Sequence, residues 1–298
     1  MKEFKIKDLG ILFKSTLKEW YKRDPFRESA VIAYSAIFSL PGLLVLVLAL
    51  AGYFFGMDAI SGRLNKQISD TMGEETAAQI QQMISMAHKS KDSFWAGIIA
   101  TITIFIGATG VFVQMQKYLN SIWEVTSKVT KSGILNFIKI RLFSFGLIIS
   151  IAFLLLISLV LSSLLSAMSN WVEQYSSASF LVVFQILNII FSLLIITVLF
   201  AMMFKILPDA NIKWNLVWIG AFVTALLFEL GKNILGYYFG KADPASGYGA
   251  AGSIILILLW TSYSSMIVFF GAEFTKVYAD YYFGEVAPTE NAIKDNKQ

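Results

Sequence analysis

The stretch from Trp214 to Gly240, WNLVWIGAFVTALLFELGKNILGYYFG, is apolar for longer than a soluble helix needs, yet it carries Glu229, Lys232 and Asn233 inside it. At ~1.5 Å rise per residue it extends roughly 40 Å as a helix, more than the ~30 Å hydrocarbon core of a bilayer. An ionisable side chain near the middle of such a span costs ~2.5 kcal/mol or more on insertion scales, so it must face protein, water or a partner. The segment therefore belongs to a bundle. Glu229 stands three positions before Lys232 and four before Asn233, spacings that set side chains on one helical face. The resulting polar stripe has two readings: a neutralised internal ion pair that locks helices together, or the lining of a substrate path.

Composition extends this constraint to the whole chain. Hydrophobic residues make up 56% of the 298 and charged residues 15%, with mean hydropathy +0.65, against about 25% charged in an average soluble domain. The expected class is an all-α, polytopic helical membrane protein, since a lipid-facing helix satisfies its own backbone. The formal charge of +4 has a prior explanation in membrane topology, ahead of nucleic-acid binding. Cysteine is absent, which excludes disulfides, thiolate metal sites and cysteine nucleophiles.

Residues 1–27 are Lys-rich, but Leu9, Phe13, Leu17 and Trp20 or Tyr21 recur at helical spacing, with Lys7, Lys14, Lys18 and Lys22 available for the other side. The pattern predicts a cytoplasmic amphipathic helix resting on the inner leaflet, its lysines toward anionic headgroups. It is not expected to be a secretory signal, because the apolar run starts late and no small-residue cleavage site follows. Asp24-Pro25 then restarts the chain with a capping residue and a proline at the first helical position.

The membrane domain is expected over 28–279 with six spans: Glu28 to Phe55, Phe94 to Met115, Leu142 to Ala167, Phe180 to Phe204, Leu216 to Phe239 and Ser253 to Val277. Pro41 in the first removes a helical hydrogen bond and predicts a kink, with Ser35 and Ser39 able to satisfy freed backbone groups. The hydrophilic insertion 58–92 repeats Ile60, Leu64, Ile68 and Met72, then Ile80, Met83, Ile84 and Ala87. It predicts two short amphipathic helices forming an extracytoplasmic cap over the spans. His88, the only histidine, reads as a solvated surface residue. The tail 280–298 is expected to be disordered.

Polar residues in other spans show what the fifth span meets. Gln185 and Asn188, three apart on the fourth, match the depth of Glu229 and Lys232, so facing amides are expected to satisfy the charged pair. Glu273 near the inner end of the sixth span is expected to pair with Lys276, three residues on.

Asp24-Pro25, Ala33-Tyr34, Ser39-Leu40-Pro41, Leu207-Pro208-Asp209, Gly220-Ala221, Tyr248-Gly249-Ala250, Leu259-Trp260 and Gly271-Ala272-Glu273, in this order and at span boundaries, resemble the YihY/BrkB family over nearly the whole chain. The outer insertion departs in length and composition. The resemblance implies six spans and cytoplasmic termini in the bacterial inner membrane. Family members have carried the labels tRNA-processing ribonuclease BN and virulence or serum-resistance factor, and a role in moving lipid-like molecules has been suggested.

The residues argue against a ribonuclease, or any enzyme. Metal-ion or acid–base nucleases need clustered carboxylates or histidines where RNA can enter, and the inner loops offer only scattered acids such as Glu124 and Asp209. No RNA-binding motif or phosphate-binding GxxxxGK[ST] is present; no cofactor, metal or nucleic-acid partner is expected. Two functions remain. One is a transporter of a lipid-like substrate whose path touches Glu229, Lys232, Asn233, Gln185 and Asn188; the other is a non-transporting envelope scaffold. Membrane lipids are the expected surroundings in both.

Orientation follows from the basic residues. Eighteen lie in the N-terminal segment, the second and fourth connections and the tail, against Arg63, Lys66, Lys89, Lys91 and Lys241 on the other side. The positive-inside rule then places both termini in the cytoplasm. A cysteine introduced at Ser90 is expected to react with a membrane-impermeant reagent added outside; labelling only after the inner membrane is opened reverses the topology.

Overall fold

The structure is a computed structural model that describes residues 8–39, 62, 65, 69, 74, 77–82, 110–128, 178–242, 244, 246–290 and 292–295, with backbone alone at 178–185, 188, 246, 249 and 250. Helix α1 is Asp8–Lys22, α2 is helical over the described residues 25–39, and α3 over 110–122. A short strand β1 is Val125–Ser127. The long helices α4 (Ala178–Ile206), α5 (Trp214–Ala242) and α6 (Gly252–Tyr282) follow, with a 3-10 turn Ser246–Ala251 before α6. Strand β2 is Ala292–Lys294. Among the described residues, three helices are long and apolar enough to cross a membrane, within α4, α5 and α6. Pro41, His88 and the third predicted span lie outside the described residues, as does most of the first two.

Alpha-helix α1 begins with Asp8 and ends with Lys22, each charge favourable to its end of the helix dipole. Asp24 then adopts φ +51°, a left-handed conformation that aspartate tolerates better than most residues. Its carbonyl accepts the Glu28 N–H at 3.2 Å, so Pro25 opens α2 where a missing N–H costs nothing.

The amphipathic face of α1 is divided. Leu12 and Thr16 are buried, whereas Leu9, Phe13 and Leu17 stay partly exposed. The helix runs antiparallel along the C-terminal half of α6: Tyr282 donates its hydroxyl to Asp8 at 2.8 Å, Phe13 packs on Phe274 and Phe270, and Trp20 donates Nε1–H to the Met266 carbonyl at 3.2 Å. One edge of the predicted interfacial stripe is thus spent on protein.

Helices α5 and α6 cross through a reciprocal pair of small residues. A Cβ at Gly220 would overlap the Thr275 side chain, and one at Gly271 would overlap Thr224. Each threonine lies four residues after the glycine of its own helix and donates to that glycine's carbonyl, at 2.6 Å for Thr224 and 2.8 Å for Thr275. The hydroxyls are therefore satisfied without the partner helix, and the backbones approach closely, as small-residue spacing allows in membranes. The core continues from this crossing to the same end of the bundle, where Phe204, Phe269, Phe274, Leu119, Ile122 and Val217 are buried.

Of the tail, residues 280–290 and 292–295 are described, and they return along the bundle. Chain beyond α6 turns at Gly284, φ +82°, bridges Ala210 through Pro288, and pairs β2 antiparallel with β1, Thr126 opposite Ile293. Ala292 is buried there. Backbone hydrogen bonds, side-chain bonds from Asn211, Lys128 and Thr289, and the packing of Val286 and Ala292 hold these residues, and none of these leaves a periodic signature in so short a segment. On the opposite end, residues 77–82 are helical, with Ala77 and Ile80 buried and Gln79 bonded to Ser253 at the start of α6.

Gly271→Val is expected to lower the unfolding midpoint in detergent, at ~1–3 kcal/mol or more for overpacking a tight contact. Gly236→Ala, with open space around it, is expected to leave the midpoint unchanged or slightly raised.

Candidate functional site

Glu229 lies next to the midpoint of α5. Its Oε1 meets Lys232 Nζ at 2.6 Å, and the two side chains are 35% and 37% exposed. The other carboxylate oxygen is buried with no hydrogen-bond partner among the described residues. Aromatic packing of Phe228 on Phe200 and Trp260 holds this turn against α4 and α6, while Leu230 and Ile234 are exposed. The predicted Glu229–Lys232 pair is therefore formed, at mid-span, and only partly covered.

Asn233 does not join it. Its Nδ2 donates to the Glu229 backbone carbonyl at 2.6 Å, so one amide N–H is spent on its own helix. Gln185 and Asn188 sit on α4, but their side chains lie outside the described residues, and the expected amide contacts to the pair have no described counterpart.

The densest polar structure is at the C-terminal end of α6, and here one expected pairing is corrected. Glu273 is 1% exposed and its partner is Arg23, at 3.2 Å; Lys276 instead meets Glu124 at 3.3 Å and Asp280 at 3.0 Å. Spacing along one helix favoured Lys276, but the α1–α2 corner delivers a guanidinium to the buried carboxylate. Arg23 also donates Nη1–H to the Ser121 carbonyl at 2.7 Å and Nη2–H to that of Ile122 at 3.4 Å. A cation thus caps the negative end of α3.

Asp209, read as a scattered acid, is a hub. Its Oδ2 accepts from Asn120 Nδ2 at 2.8 Å and Ser127 Oγ at 2.5 Å, its N–H donates to Asn120 Oδ1 at 2.7 Å, and its carbonyl accepts from Thr289 N–H at 3.0 Å. Such a carboxylate is occupied as an acceptor and binds α3, β1 and the tail. Nearby Tyr118 stacks on Phe269 at 3.7 Å; burial, with Glu273 as the lesser cause, pushes its hydroxyl far above the ordinary tyrosine value, leaving it a neutral packing group. Among the described residues no group of three His, Cys, Asp or Glu is placed to hold a metal.

A groove of about 380 Å³ opens between α1, the start of α2, α5 and α6, lined by Phe13, Leu17, Trp20, Phe26, Leu227, Tyr263, Met266, Ile267 and Phe270. Sequence reasoning missed it because its walls come from four elements. The one visible signal was the aromatic content of an otherwise basic N-terminal helix.

Several segments that carried the family resemblance converge on this end: Asp24-Pro25 beside Arg23, Leu207-Pro208-Asp209, Gly220-Ala221 and Gly271-Ala272-Glu273. Comparison with protein families matches residues 16–294 to the family described as Virulence factor BrkB. The chain is 25% identical over 279 residues to a UPF0761 membrane protein of Saccharophagus degradans, covering 91% of this chain and 60% of that one. It is 25% identical over 255 residues to one of Pseudoalteromonas atlantica, covering 83% and 78%, and 23% identical over 270 residues to one of Teredinibacter turnerae, covering 90% and 60%. The chain thus spans about three fifths of the Saccharophagus and Teredinibacter relatives. No solved structure matches it at a significant level.

Arg23→Ala leaves the Glu273 carboxylate buried without a contacting counterion among the described residues, at an expected cost of ~3–5 kcal/mol. Adding Glu273→Gln removes that charge and is expected to restore at least half of the lost stability, read as the unfolding midpoint of purified protein in detergent. Losses that simply add show that the two groups are not coupled.

Proposed function

The chain belongs to the Virulence factor BrkB family, and from that premise we propose that it is a six-span protein of the bacterial inner membrane that moves a lipid-like or amphipathic substrate past a polar intramembrane site. Both termini face the cytoplasm in this reading, and the 58–92 insertion faces outward, as the distribution of basic residues supports. The protein works without catalysis, cofactor or nucleic acid.

One observation carries the reading. Glu229 and Lys232 pair at 2.6 Å near the middle of a 29-residue apolar helix, with about a third of each side chain uncovered. Charges at that depth left against hydrocarbon are expensive, so the uncovered third is accounted for by a polar headgroup or water entering from the side. A zwitterionic pair suits such a visitor, since carboxylate and ammonium offer complementary contacts to a headgroup that carries both signs. The Oε2 of Glu229, buried and without a hydrogen-bond partner among the described residues, is an acceptor that the ion pair leaves unused.

The test is translocation of fluorescent phospholipid in proteoliposomes, read by dithionite bleaching. The native protein is expected to equilibrate the leaflets at least about tenfold faster than protein-free vesicles. Glu229→Leu with Lys232→Leu removes both charges together and so should fold, with translocation lost. No acceleration by the native protein overturns lipid movement; full activity in the folded double variant makes the pair a structural lock.

A further inference from the structure

We propose that the groove between α1 and α6 holds one acyl chain of an anionic phospholipid from the leaflet on the N-terminal side, with its headgroup set at Lys14 and Lys18. The groove is apolar along its length, and Leu227, Tyr263, Met266 and Ile267 in its wall belong to the spans α5 and α6. A cleft of this kind opens to hydrocarbon and stays dry, so a lipid chain is the occupant its surroundings supply.

Its direction follows from the packing of α1. Phe13 lies beside Phe270 and Phe274, and Trp20 beside Met266, so the groove runs from the level of Phe13 toward the membrane interior at Tyr263 and Leu227. Around α1, at about 100° per residue, Leu12 and Thr16 mark the docked edge, Trp20, Phe13 and Leu17 the groove wall, and Lys14 and Lys18 the flank beyond it. Both lysines are exposed, and neither has an ion pair among the described residues, whereas Lys22 is held by Glu19 at 3.0 Å. A hydrocarbon slot flanked by two ammonium groups that have no ion pair among the described residues is complementary to an anionic lipid and not to a neutral one.

This site is separate from the mid-span pair. Leu227 and Gly231 lie on the side of α5 that meets α6, where Gly231 packs under Tyr263; Glu229 is two residues from each, on the opposite side of the helix.

The experiment places the full chain in nanodiscs of phosphatidylcholine with one tenth of the lipid as phosphatidylglycerol, one or the other carrying brominated chains. Quenching of Trp20 is read as the difference between the native protein and Trp20→Phe. Brominated phosphatidylglycerol is expected to quench Trp20 about tenfold more per mole than brominated phosphatidylcholine, a ratio within what one to two lysines contribute at an anionic headgroup. Lys14→Gln with Lys18→Gln, both at exposed positions, is expected to abolish that preference while the protein keeps its unfolding midpoint. Equal quenching per mole in the native protein means ordinary surrounding lipid and overturns the proposal, as does quenching by neither lipid. A preference that survives the double substitution overturns the headgroup assignment.

Discussion

Arg23 ties three elements to one buried carboxylate. The corner between α1 and α2 places its guanidinium on Glu273 of α6 and on the last carbonyls of α3, so a charge that could not remain alone in the core becomes the point where the chain's beginning, middle and end meet. A buried ion pair is weak evidence for net stability, because desolvation offsets much of the attraction. Its effect here is on specificity: a register shift of α1 along α6 would strand both charges at once. The antiparallel run of α1 along α6, from Asp8 at Tyr282 to Trp20 at Met266, inherits its register from that constraint.

The crossing of α5 and α6 complements it by shape. Gly220 receives Thr275 and Gly271 receives Thr224, an arrangement that works only for two antiparallel helices in one relative position. Gly271 lies two residues from Glu273, so the packing constraint and the electrostatic one act on the same stretch of α6. By contrast, the mid-span pair on α5 is local to one helix and partly uncovered. The end of the bundle near Glu273 is held by both kinds of contact, and the middle of α5 by neither.

How much was legible depends on the range of the interaction. Glu229 and Lys232 were readable because three residues along a helix bring side chains together whatever the tertiary structure does, and α5 spans nearly the stretch that its apolar run announced. Asn233 obeyed the same spacing, yet turned to a backbone carbonyl, an outcome that periodicity does not distinguish from joining the pair. Glu273 was assigned to Lys276 by the same local rule and went elsewhere, since in a packed interior a partner arriving from another element competes on equal terms. Asp209 and the strand after α6 were unreadable for a related reason: a single carboxylate, and three residues of strand, carry too little pattern to declare a partner.

Sequence by itself determined the solvent, the helical class and the approximate extents of α4, α5 and α6, because hydrocarbon forces every lipid-exposed segment to be apolar and to satisfy its own backbone. Only the tertiary structure decided which charges are paired, where the tail goes and that α1 forms one wall of an apolar groove. Those depend on contacts between segments as far apart as Trp20 and Met266, and no periodicity within either segment encodes the distance between them.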